Sequence, residues 1–75
     1  MMATHYWTEF HSRNLGEFSV SALFSDEIAD FYAVVINIPG EKPFPFDYPD
    51  SRRDAIALCE MAKLVADRFG EVEHE

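Results

Sequence analysis

The chain has few of the residues on which enzymes and secreted domains rely. It contains one cysteine and three glycines in 75 residues. Because Cys59 is alone, no disulfide can form within the chain, which is typical of a reducing compartment. The sequence has no glycine-rich phosphate loop, no G-x-S-x-G turn and no H-E-x-x-H pair. We therefore expect no enzyme and no cofactor, and we predict a cytoplasmic protein.

Basic residues and long apolar runs are also scarce. Six Lys and Arg stand against fourteen Asp and Glu, which gives a formal net charge of −8. Nucleic-acid binding needs cations that neutralise phosphates, so this balance disfavours direct contact with nucleic acid and favours solubility or a basic protein partner. No apolar run approaches the roughly 18 residues of a membrane helix. The first ten residues lack the basic and apolar regions of a signal peptide, so we expect neither signal nor membrane contact.

The residues that are present predict one small α+β domain over residues 1–75. Apolar residues make up 48% of the chain, enough for one core. Apolar and polar residues alternate in three segments, as in half-buried strands. We predict these strands at residues 4–13, 17–25 and 30–38. In the second strand we expect one apolar face, formed by Phe18, Val20, Ala22 and Phe24.

The segment KPFPFDYPDS, residues 42–51, combines aromatic residues with prolines. Phe44, Phe46 and Tyr48 alternate as in a strand, and the prolines at 43 and 45 are too close for a P-x-x-P ligand. We predict a short edge strand over residues 43–48 with its aromatic side chains on the core face. Prolines two positions apart remove N–H donors from one side only, so they should guard the free edge against strand addition.

The C-terminal segment has the periodicity of an amphipathic helix. Apolar residues recur at helical spacing, and Ser51 suits the N-cap with Asp54 three positions later. We predict a helix over residues 52–69, ended by Gly70 and followed by an acidic tail over 71–75. The apolar stripe is Ala55, Leu58, Cys59, Ala62, Val65, Ala66 and Phe69. Lys63 and Asp67 should form an i, i+4 pair, and Glu60 should lie on the solvated face.

These elements predict a two-layer fold in which an antiparallel meander of three to four strands packs on one C-terminal helix (β-β-β-(β)-α). The third strand is apolar on both faces, and one helix covers only one face of a small sheet. We therefore predict an apolar interface on the other face, used by a homodimer or by a foreign partner. Its candidate residues are Trp7, Leu23, Phe31 and Val35.

Acidic residues form two groups that are candidate partner-binding sites. The first group, at the turn after the second strand, is Asp26, Glu27 and Asp30. The second group, at the start of the helix, is Asp47, Asp50 and Asp54. Such groups could imitate a row of phosphates or meet a basic groove, but turns and helix starts also favour acids for structural reasons alone.

We considered a metal site on the first strand and a reactive thiol on the helix, and the sequence disfavours both. His5, Glu9 and His11 would share one strand face, but six residues of strand span about 20 Å, so the two histidines cannot bind one ion. We therefore expect no metal site. Cys59 lies in the apolar stripe, where a buried thiol is inert.

The chain resembles two groups of known proteins. In size, acidity and expected α+β form it resembles small phage-encoded inhibitors of the anti-CRISPR type. That resemblance implies a protein that blocks a basic, nucleic-acid-binding surface of a host complex, such as a CRISPR effector, in the host cytoplasm. The strand meander and the helix start at Asp50, Ser51, Asp54 and Ala55 resemble HicB-type antitoxins, although their Gly-Cys turn and DNA-binding segment are absent. This second resemblance implies an antitoxin or accessory subunit that acts through hydrophobic pairing.

Overall fold

The fold is a four-stranded antiparallel sheet covered on one face by a C-terminal helix, as predicted. A computed structural model of the chain describes residues 6–73, with side chains as far as Phe69. The sheet order is β1-β2-β3-β4, so the proline-containing β4 is an edge strand. The elements are β1 (Trp7–Asn14), β2 (Ser19–Ser25), β3 (Tyr32–Asn37), β4 (Phe44–Asp47) and α1 (Arg52–Glu73).

The core lies between α1 and the two central strands. Ala22 of β2 is opposite Val34 of β3, and both side chains are fully buried against the helix. Alternation on β2 and β3 thus supplies the apolar face that the helix covers. The buried cluster consists of Val20, Ala22, Val34, Ala55 and Cys59. Half-buried apolar side chains packed around it are Phe10, Leu15, Tyr32, Ile36, Leu58 and Ala62.

The start of α1 has the predicted cap, but its end lies further along the chain than predicted. The Asp54 backbone N–H donates to Ser51 Oγ at 3.1 Å, which confirms Ser51 as the N-cap. The helix does not end at residue 69. It continues through Gly70 to Glu73 and includes the first part of the predicted acidic tail. A glycine inside a helix costs only about 1 kcal/mol relative to alanine. Gly70 is therefore compatible with a helix end but does not force the helix to end there. Among the residues described, no helix is long and apolar enough to cross a membrane.

Two register shifts correct the predicted side-chain faces on the edge strands. On β1, Glu9 is opposite Leu23 and His11 is opposite Ala22, so Phe10 is an extra residue. Both Phe10 and His11 therefore turn toward the helix, and the prediction that Glu9 and His11 share a face is wrong. His5 lies outside the described residues.

The shift on β4 has the same effect. Val35 is opposite Pro45 and Val34 is opposite Asp47, which makes Phe46 the extra residue. After this bulge, Tyr48 turns to the sheet face away from the helix, where it borders the same hollow as Trp7 and Leu23. Phe44 and Phe46 are 59% and 41% exposed, so the prediction that the three aromatic side chains pack on the core is wrong.

The predicted first and second strands include residues that lie outside β1 and β2, namely Tyr6 in the first and Glu17 in the second, while positions 4 and 5 lie outside the described residues. Within the described residues β1 begins at Trp7, and β2 begins at Ser19 rather than at 17. Phe18 therefore precedes β2 and is 45% exposed, so it is not part of the buried face to which it was assigned. The left-handed Gly16, with φ of 98°, and the Asn14 side chain that accepts its N–H account for the turn before β2.

Candidate functional site

The topology brings both predicted acidic groups to one end of the sheet. Neighbouring strands of an antiparallel meander run in opposite directions. The same end of the sheet therefore contains the end of β2, the start of β3 and the end of β4. Helix α1 begins five residues after β4, so its first turn is also near this end. We call this region the acidic end. Its carboxylates are Asp26, Glu27, Asp30, Asp47, Asp50 and Asp54, and all six residues are exposed.

The first acidic group lies on a turn that is held by hydrogen bonds on both sides. The buried Ser25 Oγ accepts the backbone N–H of Glu27 at 3.1 Å and that of Ile28 at 2.9 Å. On the β1 side, the Thr8 hydroxyl donates to the Asp26 carboxylate at 2.8 Å. Asp30 has a left-handed φ of 57°, a conformation that Asp and Asn tolerate better than other side chains. The turn therefore presents its acids in a defined arrangement.

The second acidic group lines a hollow of about 420 Å³ at the start of α1. The carboxylates of this hollow come from Asp47, Asp50 and Asp54, and its apolar wall comes from Leu58 and Met61. Tyr48, Pro49 and Ala57 complete the lining. A Lys or Arg side chain has a matching form, because its aliphatic stem can cover an apolar wall while its charged end meets carboxylates.

Two arginines near the acidic end reduce its charge only in part. The Arg52 guanidinium carbon lies 4.5 Å from the centre of the Phe10 ring, a cation–π contact that directs this charge toward β1. Arg53 is exposed on the first turn of α1. Six carboxylates against two guanidinium groups leave this end acidic.

The predicted apolar interface residues do meet on the sheet face away from α1. Trp7, Leu23 and Val35 line a shallow hollow of about 370 Å³. The Phe31 ring lies 5.3 Å from that of Trp7, centre to centre, and so borders the hollow. The rest of the lining is Ala33, Lys42, Pro43, Pro45 and Tyr48. Val35 itself is only 6% exposed, so it supports the hollow from below rather than offering a contact surface.

A cluster that the sequence reading missed joins β1 to the helix. The Glu60 carboxylate accepts hydrogen bonds from the Arg13 guanidinium and lies 2.7 Å from His11 Nε2. These hydrogen bonds, first from His11 and then from Arg13, lower the pKa of Glu60 below its ordinary value. Glu60 is therefore bonded to β1 while its side chain stays 43% exposed, which corrects the prediction that it lies on a purely solvated face. The bulge at Phe10 brings His11 to this side, and alternation alone does not reveal a bulge.

The single thiol is buried in the core, as its place in the apolar stripe predicted. Cys59 is fully buried, and burial together with the negative charges of Glu60 and Glu9 raises its pKa to about 11. A thiol in this state is protonated at neutral pH and is a poor nucleophile. Among the side chains that the structure describes, no three from His, Cys, Asp or Glu are close enough together to hold a metal ion.

Comparisons with protein-family models, curated proteins and solved structures found no significant match to this chain. The arguments about function therefore rest on the chain's own surfaces. The acidic end combines charge, a defined turn and a hollow, whereas the sheet face away from α1 is mainly apolar. These two surfaces are the candidate sites.

Proposed function

We propose that this protein is a small acidic inhibitor that binds the basic, nucleic-acid-binding surface of another protein through its acidic end. The observation that carries the proposal is the hollow of about 420 Å³ that three acidic residues line together with apolar residues of α1. A Lys or Arg side chain of the partner would place its stem against Met61 and its charge among the carboxylates. Nucleic acid and this protein would then compete for the same basic groups.

The hydrogen-bonded turn between β2 and β3 supports the proposal because it lowers the entropy cost of binding. A binding surface that is already ordered loses less conformational entropy on association than a flexible one. The hydrogen bonds at Ser25 and Thr8 order the first acidic group before any partner arrives. The net charge of −8 also speeds encounter with a basic surface through long-range attraction. The proposal needs no catalytic residue and no cofactor.

The resemblance to phage-encoded inhibitors suggests the first partner to test. A purified CRISPR effector complex with bound fluorescent target DNA is titrated with the protein, and DNA release is followed by anisotropy. An arginine-rich peptide serves as a second, simpler probe of the acidic end. We expect binding to both probes to weaken as salt is raised, because exposed charges are screened within about 8–10 Å at 0.10–0.15 M ionic strength.

A pair of matched variants separates the acidic end from general charge. Asp47→Asn with Asp50→Asn removes two charges from the hollow, and each Asn keeps a side-chain oxygen as acceptor. Glu17→Gln with Glu41→Gln removes the same charge from the exposed turns at the opposite end. We expect the first pair to weaken peptide binding roughly 2- to 30-fold, at about 0.2–1 kcal/mol per exposed ion pair. Equal effects of the two pairs would contradict a specific acidic site.

The turn group needs a different substitution. Asp30 has a φ of 57°, so Lys at this position would strain the backbone as well as reverse the charge. Asp30→Asn removes the charge and tolerates the conformation. Together with Asp26→Asn and Glu27→Gln, it tests whether the turn contributes to the same contact.

The sheet face away from α1 supports a second candidate function, hydrophobic pairing of the kind that the antitoxin resemblance implies. The observation that favours it is the hollow of about 370 Å³ lined by Trp7 and Leu23. Leu23 is half-buried, so Leu23→Lys places a charge in the hollow with less damage to the core than a change at Val35. Loss of a complex in this variant would favour the apolar face, and loss only in the Asp47 and Asp50 variant would favour the acidic end.

A further inference from the structure

Helix α1 carries an exposed stripe on the flank that adjoins Phe46 of β4 and the segment before the helix. Asp54, Met61 and Arg68 are seven residues apart, and seven residues make nearly two helical turns, so the three side chains lie on one line. Met61 is 60% exposed and neighbouring Leu64 is 61% exposed. A surface helix normally has polar residues at positions that the core does not bury. The stripe therefore needs a reason other than the core.

The second half of α1 extends beyond the part of the helix that the core uses. The helical residues in or against the core are Ala55, Leu58, Cys59 and Ala62. Further along, Val65 is 47% exposed and Phe69 is 64% exposed. Leu64, Val65, Arg68 and Phe69 surround a shallow hollow of about 260 Å³. Exposed apolar side chains that adjoin one another in this way usually mark an interaction surface.

We propose that this stripe pairs two copies of the chain through antiparallel packing of their α1 helices around a two-fold axis at Met61. In this arrangement Met61 meets Met61 of the second copy, and Asp54 of each copy faces Arg68 of the other. The flanking positions also match: Ala57 faces Val65, and Leu58 faces Leu64. A two-fold contact requires a patch that is complementary to itself, and these residues are placed symmetrically about Met61.

The charges favour a second copy over an unrelated apolar partner. Neither Asp54 nor Arg68 makes an ion pair with the other side chains that the structure describes. Antiparallel pairing joins the two charges across the contact twice, and it also sets the two helix dipoles in opposite directions. The proposal does not depend on the inhibitor function. It places Arg68 of the second copy beside the acidic hollow, where a partner's basic side chain would otherwise bind.

The first test measures the mass of the purified chain alone by sedimentation velocity. One chain has a mass of 8.6 kDa. A pair of single helices buries less than the roughly 800 Å² per partner of a standard interface, so we expect dimers at about 10–500 µM. Met61→Lys places two like charges at the axis and should leave a monomer over this range. Ile28→Lys adds the same charge at an apolar residue that is 49% exposed on a turn, and should leave the dimer intact.

Exchange of the two charges tests the orientation of the helices. Asp54→Arg alone and Arg68→Asp alone should each weaken the dimer at least threefold, and the double variant should recover most of the loss. Circular dichroism of each variant shows whether the helix is kept. A wild-type chain that stays monomeric throughout, a dimer that survives Met61→Lys, or a double variant without recovery would each overturn the proposal. None of these results depends on a partner, so they leave the inhibitor proposal to its own experiment.

Discussion

The rings of Phe31 and Tyr48 are stacked, with centres 5.7 Å apart and planes within 6° of parallel. Phe31 directly follows Asp30, the last acid of the first group, and Tyr48 directly follows Asp47, the first acid of the second. The stack therefore joins the turn between β2 and β3 to the segment between β4 and α1. It fixes the separation of the two acidic groups on which the proposed function depends.

Loss of this stack should destabilise the fold and loosen the acidic end. We expect Tyr48→Ala to lower the free energy of unfolding in urea by about 0.5–1.5 kcal/mol, the range for aromatic pairs beyond simple burial. Tyr48→Phe keeps the stacked ring and should stay within about 0.5 kcal/mol of the wild type. If both variants lost the same stability, the hydroxyl rather than the stack would be responsible.

The stack also shows where sequence reasoning reached its limit. Alternation of apolar residues predicted the strands, and apolar residues at helical spacing predicted the helix, because both periods follow directly from backbone geometry. The bulges at Phe10 and Phe46 leave no such trace, since one extra residue interrupts the pairing without changing the residue pattern. Each bulge reverses the faces of the residues that follow. The positions of His11 and Tyr48 could therefore not be predicted, whereas those of Trp7 and Leu23 could.

The cluster at Glu60 should make the free energy of unfolding depend on pH in the acidic range. Its hydrogen bonds with His11 and Arg13 lower the pKa of Glu60 below its ordinary value of 4.5 in the folded chain. As the pH falls, the Glu60 carboxylate takes up a proton earlier in the unfolded chain than in the folded chain. The stability that the ionised Glu60 contributes is therefore complete above pH 4.5 and is lost as the pH falls through the folded pKa. Glu60→Gln should be less stable than the wild type at pH 7, and thermal unfolding should show the difference shrinking below pH 4.5.

An exposed ion pair on the same helix provides the control. Lys63 Nζ lies 2.7 Å from the Asp67 carboxylate, the i, i+4 pair that the sequence predicted. Such pairs stabilise a helix by only about 0.2–0.5 kcal/mol, so Asp67→Asn should have a small effect. A loss in Glu60→Gln no larger than in Asp67→Asn would mean that the cluster does not hold the helix to β1.

The Cys59 thiol should react only when the chain unfolds. With a pKa raised to about 11 and no exposed surface, the thiol is almost entirely protonated at pH 8. We expect a thiol reagent such as dithionitrobenzoate to label native protein slowly and protein in guanidinium chloride within the mixing time. Rapid labelling of the native chain at pH 8 would contradict the buried position.

Pro45 should protect the free edge of β4 against strand addition. Pro45 is opposite Val35 in the pairing with β3, and a proline fits a paired strand only where its nitrogen faces away from the partner. Pro45→Val would restore an N–H donor on the exposed edge, where a second sheet can pair. We expect this variant to self-associate more strongly than the wild type, as measured by light scattering over a concentration series.

The helix pairing proposed above must be removed before this result is interpreted. The Met61→Lys variant cannot pair through α1. If Pro45→Val still increases self-association in that variant, the association comes from strand addition at the free edge of β4. Pro49→Ala, outside β4, provides the control because it restores an N–H donor beyond the strand. If Pro45→Val and Pro49→Ala behaved alike in the Met61→Lys variant, the prolines of β4 would not act as an edge guard.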